Sequence, residues 1–270
     1  MGKLIYFWLF CWLGCSFSIA QNLCVNYEAS IKPNRNDSIK DNLIFSLWID
    51  TQKQTSVFAF NDSLTQQPKQ DLLLDTYSDQ VFKNHQAALF TLFQQINKVY
   101  YKVPFSAMQG WKLLPETKEI KGYLCKKAEI HFAGRDYITW FTDEIPIPDG
   151  PYKFGGLPGL ILEITSKDGD YHYTVSEIIH KKGNIPPALP KSIRINHEQL
   201  LQLKKNIIKN PSIGLAQKIA QAKSNNQSFS IAYNGKNIDE NDLLKSYEEE
   251  YRKFLNQYNN PIEKEDLWVK

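Results

Sequence analysis

At 270 residues with 42% hydrophobic side chains, the chain can bury a core of its own without staples. Its 32 basic and 29 acidic side chains leave a formal charge of +3, too balanced for a nucleic-acid or anionic-membrane partner.

The first twenty residues read as an export signal. Lys3 supplies a positive start, residues 4–17 form an apolar run, and Ser18-Ile19-Ala20 is a small-x-small cleavage site before Gln21. Cys15, preceded by Leu13-Gly14, offers lipidation as the alternative, with Trp12 standing where a small aliphatic residue belongs. The expected address is therefore the periplasm, the outer membrane's surface or the medium, with no transmembrane span in the mature chain. Processing removes Cys11 and Cys15 and leaves Cys24 and Cys125. In an oxidising compartment these two are expected to pair, closing a loop of about 100 residues that contributes roughly 4–5 kcal/mol.

Strands come first. "CVNYEASIK", "NLIFSLWID" and "SVFAF" carry β-rich, partly alternating patterns. Residues 61–78 are polar, broken by Pro68, and read as a loop. "ALFTLFQQINKVYYKVPF" holds two more strand candidates, although "FTLFQQI" fits a helix equally well. From Gly110 the β pattern strengthens. Between 123 and 132 the set Leu124, Lys126, Ala128, Ile130 and Phe132 is expected to face the core. Gly134 turns the chain into "YITWFT", Pro146 and Pro148 stop that strand, and Asp168-Gly169 predicts a second hairpin.

Beyond "NIPPALP" the chain turns helical. "HEQLLQLKKNII" has Leu200, Leu203 and Ile207 at helical spacing. A later helix aligns Leu244, Tyr247, Tyr251, Phe254 and Tyr258 as a core-facing stripe. The expected organisation is a signal peptide over 1–20, an antiparallel sheet domain over 21–190, and a helical part over 191–270 packing on the same domain. The fold class is α+β, mostly antiparallel, a curved sheet or open half-barrel with C-terminal helices, comparable by analogy with periplasmic lipoprotein carriers.

The densest signal is "GPYKFGGLPGLILEI" at 150–164. Gly150 and Gly155 have the spacing of a phosphate loop, but Gly156-Leu157 follows where Lys-Ser/Thr is required. A structural reading fits better. Pro158-Gly159 suits the centre of a type II turn with Gly159 at positive φ, and Leu160-Ile161-Leu162 then enters a strand covered on both faces. Gly150, Pro151, Gly156, Leu157, Pro158, Gly159, Leu160 and Ile161 form this motif, with lining of a cavity as the minority alternative. Gly156 to Ile161 spell GLPGLI, and residues 110–164 resemble the GLPGLI family of exported Bacteroidota proteins throughout. Trp111, Lys118, Gly122-Tyr123, Cys125, Gly134-Arg135, Trp140, Gly150-Pro151 and Phe154 carry the likeness. That family implies no established biochemical activity.

Chemical motifs fail one by one. His197-Glu198 opens like a zinc-protease helix, but Leu201 stands where the second histidine is needed. No G-x-S-x-G elbow is present. Cys125 between strand neighbours is expected to be structural rather than nucleophilic. His131, His172 and His180 do not converge in sequence, and Asp143-Glu144 reads as a strand end. No catalytic, cofactor or metal residue is therefore assigned, and the sequence leans away from an enzyme. The expected function is a non-enzymatic envelope module for an apolar ligand or peptide. The alternatives are an assembly partner of an outer-membrane protein and an uncharacterised hydrolase or metal-dependent enzyme.

Overall fold

Alternation in the N-terminal half builds the first strands. In β1 (Asn22–Ile31) the side chains of Val25, Tyr27, Ala29 and Ile31 are buried, and in β2 (Asp41–Asp50) those of Leu43, Phe45, Leu47 and Ile49. The computed structural model describes residues 22–64, 77–181, 187–225, 232–233 and 236–265. The signal segment therefore lies outside the described residues, as do most of the 61–78 loop and part of "NIPPALP".

The sheet continues through β3 (Thr55–Phe60), β4 (Gln80–Asn84), β5 (Leu89–Ile96) and β6 (Val99–Phe105). The chain then crosses to the opposite edge. There β7 (Lys112–Ile120), β8 (Tyr123–Phe132), β9 (Arg135–Thr142), β10 (Leu160–Ser166) and β11 (Tyr171–Lys181) return to pair with β1. The result is a 12-stranded open sheet of order β12-β6-β5-β4-β3-β2-β1-β11-β10-β9-β8-β7. All its ladders are antiparallel except the short β12 (Ser192–Arg194), which runs parallel to β6. The fold is thus α+β, mostly antiparallel, an open sheet with helices at the C-terminal end.

Hairpins obey the expected turn chemistry. Asn97-Lys98, Lys121-Gly122 and Ala133-Gly134 all have positive φ at both positions, as a type I′ turn requires. Between 123 and 132 the core-face expectation holds at Ala128 and Ile130 but fails at Leu124, which is 55% exposed, and at Lys126, also exposed, while Phe132 is half-buried. Cys125, on the opposite face from Leu124, is fully buried instead.

The helices are α1 (His197–Lys209), α2 (Ile213–Ser224) and α3 (Glu240–Gln257). Asn196 starts α1 with a capping box: its side chain accepts from Gln199 N at 2.8 Å, and its own N–H donates to Gln199 Oε1. Leu200 and Ile207 then pack on Ile96 and Val103 of the sheet. The aromatic stripe of α3 is not core. It contributes no buried residue, and only Tyr251 joins the cluster beneath α1 as a half-buried neighbour. Two short strands, β13 (Ala232–Tyr233) and β14 (Lys236–Asn237), precede α3. Among the described residues no helix is long and apolar enough to cross a membrane.

Cys24 and Cys125 are both buried and not joined by a disulfide. They sit on β1 and β8 with β11, β10 and β9 between them, four ladder steps or about 19 Å apart. That exceeds disulfide reach, which corrects the expected bridge.

Candidate functional site

The segment between β9 and β10 is laid across the sheet. Ile147 N donates to Ile145 O and Asp149 N to Ile147 O, both at 2.7 Å, with Pro146 and Pro148 as the central residues of two consecutive three-residue turns. Proline's fixed φ suits that geometry. Pro151 O accepts from Phe154 N, and Asp149 and Gly155 bridge each other. Phe154 and Leu157 are thereby pressed into the core.

The expected type II turn is not formed. Leu160 N donates to Ile145 O rather than closing on Leu157, and the positive φ falls on Gly156 (85°), not on Gly159. Gly159 is needed for close approach instead. A Cβ there would lie 1.9 Å from the carbonyl oxygen of Thr142, a backbone atom that cannot turn away. Gly156 faces the same limit from the backbone oxygen of Met108 at 2.8 Å, and Gly150 is crowded by the side chain of Ile161, also at 2.8 Å. Gly159→Ala is expected to destabilise by about 1–3 kcal/mol through overpacking, read as a lower denaturation midpoint at unchanged slope.

Beneath this segment sits a polar cluster. Asp149 is fully buried and accepts from Ser56 Oγ at 2.5 Å and Lys83 Nζ at 2.7 Å, with His85 Nε2 at 2.9 Å. Lys83 Nζ also donates to Gly150 O and Phe154 O, at 2.9 and 2.7 Å. Burial pushes Lys83 toward its neutral form and Asp149 pulls the other way; three acceptors around one nitrogen are the surroundings of an ammonium, so the pair is ionic. Burial likewise raises Asp149, but Lys83 and then His85 outweigh it and hold the carboxyl well below its usual range. The residue types resemble a nucleophilic triad, yet Ser56 donates to the carboxylate rather than to the imidazole. The cluster is a clamp that ties β3 and β4 to the covering segment.

A second network holds residues 259–264 against the sheet. Arg135 donates to Asp168, Asp170, Asn260 Oδ1 and Pro261 O, and its guanidinium lies 4.9 Å from the Tyr171 ring centre. Lys264 N donates to Ala133 O. Burial raises Asp168, but Ser166, Lys264, the Asp170 amide and Arg135 bring it down to about 2. Asp149 and Asp168 both titrate lower folded than unfolded, where the value is about 3.9. Their stabilisation is therefore complete above about pH 5 and is lost as pH falls through 4 toward 2. A urea midpoint that falls steadily over this window is expected, with a flatter profile for Asp149→Asn.

Between these networks lies a cavity of about 260 Å³. Its walls are Leu92 and Gln94 of β5, Val103 to Phe105 of β6, Tyr152 and Lys153 of the covering segment, His197, Leu200, Leu201 and Lys204 of α1, and Glu263 and Glu265. Tyr152 Oη donates to Glu263 Oε1 at 2.6 Å, and Lys153 Nζ donates to the same oxygen. Lys153 also lies 5.3 Å from the centre of the Phe105 ring and 5.5 Å from that of Tyr152. Gln94 Nε2 is engaged by Asp79, while Gln94 Oε1 is buried with no hydrogen-bond partner among the described residues.

The other candidates do not assemble. His131 pairs with Asp136 on the surface, and His172 stands 4.0 Å from Glu163. Asp143 pairs with Lys126, and Glu144 accepts from Leu124 N. Burial pushes the Cys125 thiol up to about 11, which keeps it protonated. Among the described residues no group of three His, Cys, Asp or Glu side chains is placed to hold a metal. Sequence reasoning missed Gln94, Phe105, Tyr152, Lys153, Lys204 and Glu263, which come from five separate segments. Of the cleft walls, His197 and Leu201 were singled out for a motif they do not complete and Leu200 for a helical apolar stripe, and the 150–164 segment carried cavity lining as its minority alternative.

A family model described as the N-glycanase peptide N-terminal domain matches residues 34–203. The chain belongs to the N-glycanase N-terminal domain family. The matched residues run from the β1–β2 connection into α1, so every cleft wall lies in the N-glycanase domain except Lys204, Glu263 and Glu265. Similar solved structures include PNGF-II, with a TM-score of 0.49 and 17% identity over 67% of this chain and 32% of that one. The chain thus spans about a third of the PNGF-II chain. An uncharacterised conserved protein from Thermus thermophilus is similar at a TM-score of 0.38 and 7% identity, over 66% of this chain and 92% of that one. A LolA superfamily protein from Nitrosomonas europaea is similar at 0.29 and 10%, over 61% and 88%. A search of curated proteins returned no match.

Family membership corrects the expected function. A non-enzymatic envelope module for an apolar ligand or peptide is overturned by a family named for N-glycan cleavage. Of the alternatives weighed beside it, an uncharacterised hydrolase is the one such a family lies nearest to, and the match does not bear on an outer-membrane assembly partner.

Proposed function

We propose that this chain is a glycan-directed module serving N-glycan release, and that the Gln94–Phe105–Tyr152 cleft receives a sugar. The observation that carries the reading is a cleft in an N-glycanase-family domain where the Phe105 and Tyr152 rings stand beside the polar side chains of Gln94, Lys153 and Glu263. The rings of Phe105 and Tyr152 offer apolar surface to the C–H face of a pyranose beside these polar groups. At about 260 Å³ the cavity is below the usual range for drug-sized ligands and fits one sugar ring rather than a branched glycan.

The test is calorimetric titration with N,N′-diacetylchitobiose, the two-sugar unit nearest asparagine in an N-glycan. Gln94→Leu is expected to weaken binding about tenfold, the equivalent of one hydrogen bond, and to lower the melting temperature only by what the lost Gln94–Asp79 bond supplies. Binding that is undetectable, or unchanged in Gln94→Leu, contradicts the assignment.

The GLPGLI block at 110–164 lies wholly inside the matched domain, and we take GLPGLI membership as a finer description of the same module. Several of its residues have roles that support this. Trp111 Nε1 donates to Gly155 O, Lys118 pairs with Glu163 and stacks on Trp140, and Arg135 anchors residues 260–261. Export is part of the proposal, on the pattern of residues 1–20.

A further inference from the structure

We infer that Tyr152, Lys153 and Lys204 form a carboxylate subsite for an acidic sugar, filled in this structure by the chain's own Glu263. The inference rests on the cleft being a sugar site and names the class of sugar. Glu263 is held as a bound ligand carboxylate would be, by the Tyr152 hydroxyl at 2.6 Å and the Lys153 ammonium on one oxygen. Lys204, only 1% exposed on α1, reaches the same carboxylate electrostatically. Burial raises Glu263, but Lys153 foremost, then Tyr152 and Lys204, leave it below the usual carboxylate range.

Three features mark this carboxylate as replaceable. Glu263 lies outside residues 34–203, as Lys204 does by one position, whereas Tyr152 and Lys153 lie inside them. Its segment is secured independently, by Asn260 and Pro261 on Arg135, by Tyr137 Oη on Ile262 O, and by Lys264 N on Ala133 O. The side chain can therefore leave by a rotamer change while residues 259–264 stay in place. Its departure would take the carboxylate away from the Lys153 ammonium inside the cleft, a loss that another anion makes good. A neutral sugar can bind beside Glu263 but cannot replace it. A hexuronate supplies both requirements: a carboxylate for Tyr152, Lys153 and Lys204, and a sugar ring for the wall formed by Gln94 and Phe105.

The experiment titrates the full chain with D-glucuronate, D-glucose and acetate. Glu263→Ala is expected to bind glucuronate about tenfold tighter than the wild type, the scale of one charge-assisted hydrogen bond. Adding Lys153→Met is expected to abolish that gain. Glu263→Gln keeps the volume and removes only the charge; should Glu263→Ala fail to fold, it is expected to show a gain of about threefold, the low end of a neutral hydrogen bond, because the amide still occupies the site. No gain in either variant overturns the inference. So does an equal gain for glucose, which would mean that space alone was created, or for acetate, which would mean a plain anion hole. Diacetylchitobiose binding without the glucuronate gain leaves the N-glycan reading standing and removes this one. The glucuronate gain without diacetylchitobiose binding does the reverse.

Discussion

Replacing Asp149 with alanine is expected to lower the unfolding free energy by about 3–5 kcal/mol, the cost of stranding a buried charge. Lys83 is 2% exposed and keeps only two carbonyl acceptors, Gly150 O and Phe154 O, once the carboxylate is gone. Ser56 loses its acceptor at the same time, so the covering segment loses this tie to β3 and keeps β4 only through Lys83. Equilibrium urea unfolding measures the loss. The double replacement Asp149→Ala with Lys83→Met is expected to recover part of it, because no uncompensated charge remains. A double variant no more stable than Asp149→Ala alone would show that the loss comes from the covering segment and not from the stranded ammonium.

Leu162→Ala is expected to cost about 2–5 kcal/mol. Leu162 is fully buried and is the additional residue at a β10–β9 irregularity: Ile161 pairs with Phe141 and Glu163 with Trp140, two successive positions of β9. Buried neighbours on either side, Ile161 and Ile164, limit collapse into the space left. Denaturation of Leu162→Ala beside Leu162→Met separates cavity from contact, since the volume-conserving change is expected to cost less than about 1.5 kcal/mol.

The parts of the fold legible in the sequence are those decided locally. Alternation marked β1, β2 and β3, and glycine marked the hairpins at Gly134 and Gly169. The apolar run Leu160–Leu162 announced a strand covered on both faces, and all three residues are fully buried. What escaped depends on distant partners. β4 is only five residues and carries Lys83, a charge that reads as solvent-facing until Asp149, 66 residues away, neutralises it. The tyrosine stripe of α3 has the period of a core helix, but the sheet's face is already filled by residues 145–162 and 259–263, so it packs half-exposed.

The same division governs the site. Gly159 looked like a positive-φ glycine because Pro-Gly is the local signature of a type II turn. Its constraint is the Thr142 carbonyl, which no local pattern encodes. The Cys24–Cys125 pairing followed from counting cysteines and failed on the strand order, which sets three strands between them. The cleft is assembled from β5, β6, the covering segment, α1 and residues 263–265, and no two of these lie within one motif-length of each other except β5 and β6.

The most direct test of the sugar-cleft assignment is chemical-shift mapping of the isotope-labelled protein during titration with N,N′-diacetylchitobiose. The account predicts saturable shifts centred on Gln94, Phe105, Tyr152 and Lys153, including the Gln94 side-chain amide. Shifts centred instead on the sheet face around Trp140, Glu163 and His172, or no saturable shift at all, would contradict it.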